Sequence, residues 1–162
     1  MTFTKRGVAV AFALVAAVTG PVATGFAQNA SPRTIRGVWR TVVTRYDCQT
    51  GAPFAPLAGL FTFNQGGTMS EYGIGPGSSP ALRSPGHGVW HREHGWQQYS
   101  LAFTFYRYDA TGVFLGPQRI AADLELGESG DDFSSRSTIE ILDATNNVIA
   151  TACATAVGTR FE

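Results

Sequence analysis

The sequence predicts an all-β fold: an eight-stranded antiparallel up-and-down β-barrel that follows a cleaved signal peptide. Three observations carry this expectation. After residue 27 no stretch with helical period is long enough to form a helix, while eight runs rich in Val, Ile, Thr and aromatic residues recur between short Gly, Asp and Asn turns. The central stretch, residues 86–126, alternates apolar and polar side chains over three consecutive runs. A meander of eight strands leaves two long exposed edges unless it closes, and closure is the usual solution.

Residues 1–27 read as a secretory signal. Lys5 and Arg6 give a basic start, residues 8–18 an apolar run too short to span a bilayer, and Gly25-Phe26-Ala27 a small-residue site for cleavage after Ala27. Removing 27 of the 162 residues leaves 135, enough for one core: a flexible leader over 28–34 and a single barrel domain over 35–162. The expected location is secreted or periplasmic. Processing turns 12 basic against 12 acidic residues into 10 against 12, a net charge of −2. That balance gives no reason to expect nucleic acid or stable membrane association as a partner. Lys5 is the only lysine, so Schiff-base and lysine-base chemistry are excluded for the processed chain. Two cysteines in an exported chain predict one disulfide, Cys48–Cys153, rather than a reactive thiol.

The strands follow in order. Residues 35–46 form the first, and 47–56, with one Gly and two Pro, a loop. Residues 57–64 and 68–73 pair around Gln65-Gly66-Gly67. The irregular stretch over 73–85 reads either as a mobile lid or as a plain connection. Residues 86–93 and 96–108 form a hairpin around His94-Gly95, and 109–112 turns into the strand 113–126. Residues 133–142 and 148–161 complete the set, joined by a turn at 143–147 in which Asn146 stands where Gly112 stood in the preceding Asp-Ala-Thr turn.

Counting back from these turns gives a register. A two-residue turn sets Trp90 opposite Tyr99 and Gly88 opposite Leu101. A four-residue turn then sets Phe105, Phe103, Leu101 and Tyr99 opposite Gly116, Gln118, Ile120 and Ala122. One face therefore carries Trp90, Tyr99, Leu101, Phe103, Phe105, Phe114, Ile120, Leu124 and Leu126. The other carries His87, His91, Gln98, Ser100, Thr104, Arg119, Asp123 and Glu125. The first is the expected interior, where Gly88, Gly116 and Ala122 leave room for a cavity. In a closed meander the first and last strands pair antiparallel, and Trp39 with Arg160 and Cys48 with Cys153 fall on nearly one register.

With Gly37-Val38-Trp39 on the first strand and Arg160 near the end of the last, the chain resembles a lipocalin or, more loosely, a calycin. The resemblance implies that Trp39 closes the base of the barrel with an Arg packed across it, so Trp39 and Arg160 are structural residues. Two departures are visible: no helix-forming segment follows the last strand before Glu162, and the Thr-Asp-Tyr signature of the late loops is missing.

The remaining candidates are few. His87 and His91, four apart on a strand, point the same way but lie about 13 Å apart at ~3.3 Å per residue, too far to share a metal. No metal site and no cofactor are expected. Glu71 is the one catalytic candidate. A three-residue turn at 65–67 sets it opposite Phe61 among Phe63 and Met69, where desolvation raises its pKa. A two-residue turn sends it to water, and the rarity of buried carboxylates favours that alternative. Phe61, Phe63, Trp90, Tyr99, Phe103 and Phe105 are the candidate ligand-binding residues, since inner aromatics at eight strands either fill the barrel or line a cavity for one small molecule. The leading functional expectation is a binding protein for a small hydrophobic molecule. The alternatives are a barrel isomerase or cyclase, resembling allene oxide cyclase-like or dirigent-like barrels, in which Glu71 works with an inward Arg or Tyr, and a packed envelope-interaction barrel with no ligand.

Overall fold

A computed structural model describes residues 33–161. The expected signal peptide and cleavage after Ala27 lie outside the described residues, as does most of the expected leader. Eight strands close into one antiparallel barrel in chain order: β1 (Gly37–Tyr46), β2 (Leu57–Phe63), β3 (Thr68–Ile74), β4 (Gly86–His94), β5 (Gln98–Tyr108), β6 (Phe114–Leu126), β7 (Asp132–Leu142) and β8 (Val148–Arg160). Among the described residues the one helical element is a 3-10 turn, Pro80–Leu82, with Ser79 as its N-cap.

The seam between β1 and β8 follows the expected register. Trp39 pairs with Arg160 at one end and Tyr46 with Cys153 at the other. Cys48 lies two residues beyond Tyr46, and its disulfide to Cys153 spans a Cα–Cα distance of 5.1 Å. The strands that meet last in sequence are thus fastened at both ends. A disulfide of this kind fits a non-reducing compartment.

Two central pairings differ from expectation by two residues each. Trp90 pairs with Leu101 and Arg92 with Tyr99, because the β4–β5 turn is longer than two residues and the register shifts between Arg92 and His94. Phe105, Phe103, Leu101 and Tyr99 pair with Gln118, Ile120, Ala122 and Leu124, because a bulge forms at the start of β6. At that bulge Arg107 pairs with Gly116 and Tyr108 with Phe114, leaving Leu115 between them. Gly116 has φ 122°, and a side chain there would run into the Leu142 and Asp143 backbone. A two-residue shift preserves which face each side chain occupies. Tyr99, Leu101, Phe103, Phe105, Ile120, Leu124 and Leu126 are accordingly buried, and His87, His91 and Arg119 are exposed. Phe114 is the exception. The bulge turns it outward, where it is 40% exposed and packs edge-on against Tyr106 at 5.6 Å.

One end of the barrel is solid. Trp39 is fully buried, its indole N–H donates to the Ile35 carbonyl at 2.8 Å, and its ring meets Phe133 at 5.1 Å. The Arg160 guanidinium sits 4.3 Å over the Trp39 ring and donates to the carbonyls of Thr34, Arg36 and Gly130. The charge also pairs with Asp131 at 3.2 Å. β1 therefore begins at Gly37, two residues later than expected, because Thr34 and Ile35 are buried against this base instead of extending the strand. Arg33, just before them, lies 5.2 Å over the Trp96 ring.

Candidate functional site

The other half of the barrel is hollow. A cavity of about 220 Å³ opens at the end where β1 and β5 finish and β6 and β8 begin. Its apolar wall includes Leu57, Phe61, Leu101, Phe103, Phe105 and Ile120, with Ala122, Ala154 and Ala156 leaving space opposite the aromatic rings. The expected ligand-binding set divides here. Phe61, Phe103 and Phe105 face the cavity. Phe63, Trp90 and Tyr99 lie outside its lining, packed together toward the solid end, with Trp90 6.3 Å from Phe63 and 5.8 Å from Tyr99. Hydrogen bonds fix that second group. Trp90 donates its indole N–H to the Asn64 carbonyl at 3.1 Å, and Tyr99 its hydroxyl to the Trp96 carbonyl at 2.8 Å.

Space comes from fewer small residues than expected. Ala122 lines the cavity, but the volume a Gly88 side chain would occupy is already taken by Ala102 and Phe103, and that of Gly116 by Leu142 and Asp143. Gly88 and Gly116 permit close backbone approach and create no void.

Glu71 faces inward. The β2–β3 turn places it opposite Phe61, the odd-turn geometry rather than the solvent-facing alternative favoured on burial grounds, and it is 6% exposed. The partner that makes this tolerable comes from the 75–85 connection. Arg83 reaches back over the barrel mouth, and its two terminal nitrogens donate to the two Glu71 carboxylate oxygens, Nη1 to Oε1 at 3.2 Å and Nη2 to Oε2. Nη1 also donates to the Gly73 carbonyl at 3.2 Å, and the guanidinium lies 3.6 Å over the Phe105 ring. Two glycines make the slot. A Cβ at Gly86, directly across from Glu71, would sit 2.7 Å from Oε2, and one at Gly73 would sit 2.8 Å from Oε1. Burial raises the Glu71 pKa above its ordinary value, and the Arg83 charge and hydrogen bonds pull against that rise.

The connection is thereby tied down over the cavity. The Arg83 backbone forms an isolated antiparallel bridge with that of Arg107 on β5, Ser84 N–H donates to the Tyr106 carbonyl at 2.9 Å, and Tyr106 N–H donates to the Ser84 hydroxyl at 2.9 Å. Ser78, Ser79, Pro80 and Leu82 form part of the cavity wall.

Other polar groups line the same space: Arg45, Arg107, Gln118, Ser135 and Ser137. Sequence reasoning singled out none of them. Arg107 and Arg45 were legible by alternation, since each continues an inward series, 99-101-103-105-107 and 39-41-43-45. Arg83 was not, because its connection has no period. His87, His91 and His94 are exposed, and among the described residues no cluster of His, Cys, Asp and Glu is arranged to hold a metal ion.

Comparison of the chain with protein-family models, curated proteins and solved structures finds no match. The closed eight-stranded antiparallel barrel is consistent with a lipocalin-like architecture at the level of fold.

Proposed function

We propose that this chain is an exported, lipocalin-like barrel that carries one small, largely hydrophobic molecule in the open half of its interior, in the periplasm or outside the cell. The observation that carries the reading is the cavity. An eight-stranded barrel has room either for its own side chains or for one small ligand, and here one half is filled while the other encloses about 220 Å³ lined mainly by apolar groups. That volume lies below the ~300–1,000 Å³ of drug-sized sites, so the molecule is small. Native mass spectrometry of the purified protein tests the proposal. A co-purified small molecule, lost on replacing Ala154 by Phe to fill the cavity, is the expected result. A wild-type protein that carries nothing and binds no member of a small-molecule panel would rule it out.

A second reading, a barrel isomerase acting on a reactive apolar intermediate, draws on one specific observation: a buried carboxylate with a raised pKa beside an inward Arg at the cavity wall. Its test is Glu71→Gln, which abolishes turnover if the carboxylate transfers a proton and leaves it unchanged if the pair only closes the mouth.

A further inference from the structure

Taking the cavity as a ligand site, as proposed above, we infer that its ligand is amphipathic and anionic: a small carboxylate whose head group is taken by Arg45 and Arg107 at the mouth, with its apolar body among Phe61, Phe103 and Ile120. The charge lining the cavity is lopsided. Three guanidinium groups, Arg45, Arg83 and Arg107, meet a single carboxylate, Glu71, and that carboxylate is taken by Arg83. This excess of two positive charges sits in a chain whose residues 28–162 carry 10 basic and 12 acidic side chains, so it does not follow from overall composition.

Arg45 and Arg107 are also short of acceptors. The Nε of each is buried and has no hydrogen-bond partner. Arg107 uses one terminal nitrogen on the Leu142 carbonyl at 2.5 Å, and the Arg45 guanidinium lies 6.0 Å over the Phe54 ring. Among the described residues the ion pairs are Arg83–Glu71 and Arg160–Asp131, and neither Arg45 nor Arg107 takes part in one. A buried, charged donor left unpaired carries a desolvation cost that an incoming acceptor removes. A guanidinium presents its donors as a planar fork that fits a carboxylate better than a neutral oxygen. Position supports the pairing. The two arginines occupy inward positions on β1 and β5, which stand on opposite walls of an eight-stranded barrel. Their head groups therefore approach the mouth from two sides, with Gln118 on the neighbouring strand as a further donor.

Calorimetric titration of the purified protein with ligand pairs that differ only in the head group tests this inference. Octanoate against 1-octanol and 3-phenylpropionate against 3-phenylpropan-1-ol are suitable probes. The acids should bind about ten- to a hundredfold more tightly than the alcohols, the range for a hydrogen bond to a charged group. Replacing both Arg45 and Arg107 by Gln should bring acid and alcohol to within about fivefold of each other. Equal binding of acid and alcohol to the wild type would overturn the anionic head group and leave the apolar-ligand reading standing. A preference for acid that survives in the double variant would overturn the assignment to Arg45 and Arg107. Failure of every probe to bind would sink the ligand-site reading itself, and this inference with it. The wild-type comparison needs no variant, so a folding defect in the double substitution does not blunt the test.

Discussion

Replacing Arg83 by Gln removes the charge that accompanies Glu71 into the barrel. The carboxylate is 6% exposed and boxed by Gly73 and Gly86, and Arg83 is the cation that meets it. Breaking a buried ion pair by deleting one partner costs about 3–5 kcal/mol. Glu71 escapes part of that cost by taking up a proton, and Arg83 is itself 15% exposed, so we expect about 2–4 kcal/mol at pH 7. For a domain of this size 1 kcal/mol moves the melting midpoint by roughly 3–5 °C, giving a fall of about 6–20 °C.

The pH dependence gives the stricter test. Burial already raises the folded-state pKa of Glu71 above its ordinary 4.5, and removing Arg83 raises it further. The folded protein then binds more protons than the unfolded chain between 4.5 and the new, higher pKa, so stability falls as pH rises through that window. The deficit of the variant should therefore be largest at neutral pH and shrink on acidification toward 4.5. The double variant Glu71→Gln/Arg83→Gln should recover much of the loss at pH 7, leaving the cost of the Gly73 hydrogen bond and the Phe105 stacking. Circular-dichroism melts of both variants and the wild type from pH 4.5 to pH 8 measure all of this. A deficit that does not change with pH, or a double variant no better than the single, would refute the reasoning.

Three further outcomes follow from the same geometry. Gly86→Ala should destabilise by about 1–3 kcal/mol because its Cβ meets the Glu71 carboxylate, and much of that loss should vanish in a Glu71→Ala background when the two are compared by urea denaturation. Removing the disulfide with Cys48→Ser and Cys153→Ser frees a span of 105 residues, and a loss of about 4–5 kcal/mol is expected in the chain-entropy model, measured as the midpoint shift in guanidinium chloride. Trp39→Ala should lose about 3–5 kcal/mol, because the ring is fully buried between Phe133 and the Arg160 guanidinium. Thermal melts check that value, and since the change lies at the solid end, probe binding to the variant that remains folded should be retained.

How much of this was readable in advance depends on parity. Strand side chains alternate with a period of two, so an error of two residues in a turn leaves every face assignment intact. That is why Tyr99, Leu101, Phe103 and Phe105 were placed inward correctly although their partners on β6 were each displaced by two positions. An error of one residue is different in kind. The bulge that leaves Leu115 unpaired sent Phe114 to the outside, and the odd turn at 65–67 brought Glu71 to the inside. Local sequence rules judge such single-residue differences poorly, because turn length is settled by which faces the rest of the barrel needs to bury.

The chain on its own determined the strand count, the closure implied by an eight-strand meander and the Trp39–Arg160 seam, which depend on alternation, turn residues and antiparallel arithmetic, and the Cys48–Cys153 pairing, which follows from two cysteines in a chain expected to be exported. The tertiary structure alone decided that half the interior is hollow, that Arg83 crosses the mouth to meet Glu71, and that Arg45 and Arg107 face one cavity from opposite walls. These depend on volumes and on contacts between residues far apart in sequence. Alternation fixes which side chains point inward, but not whether they meet.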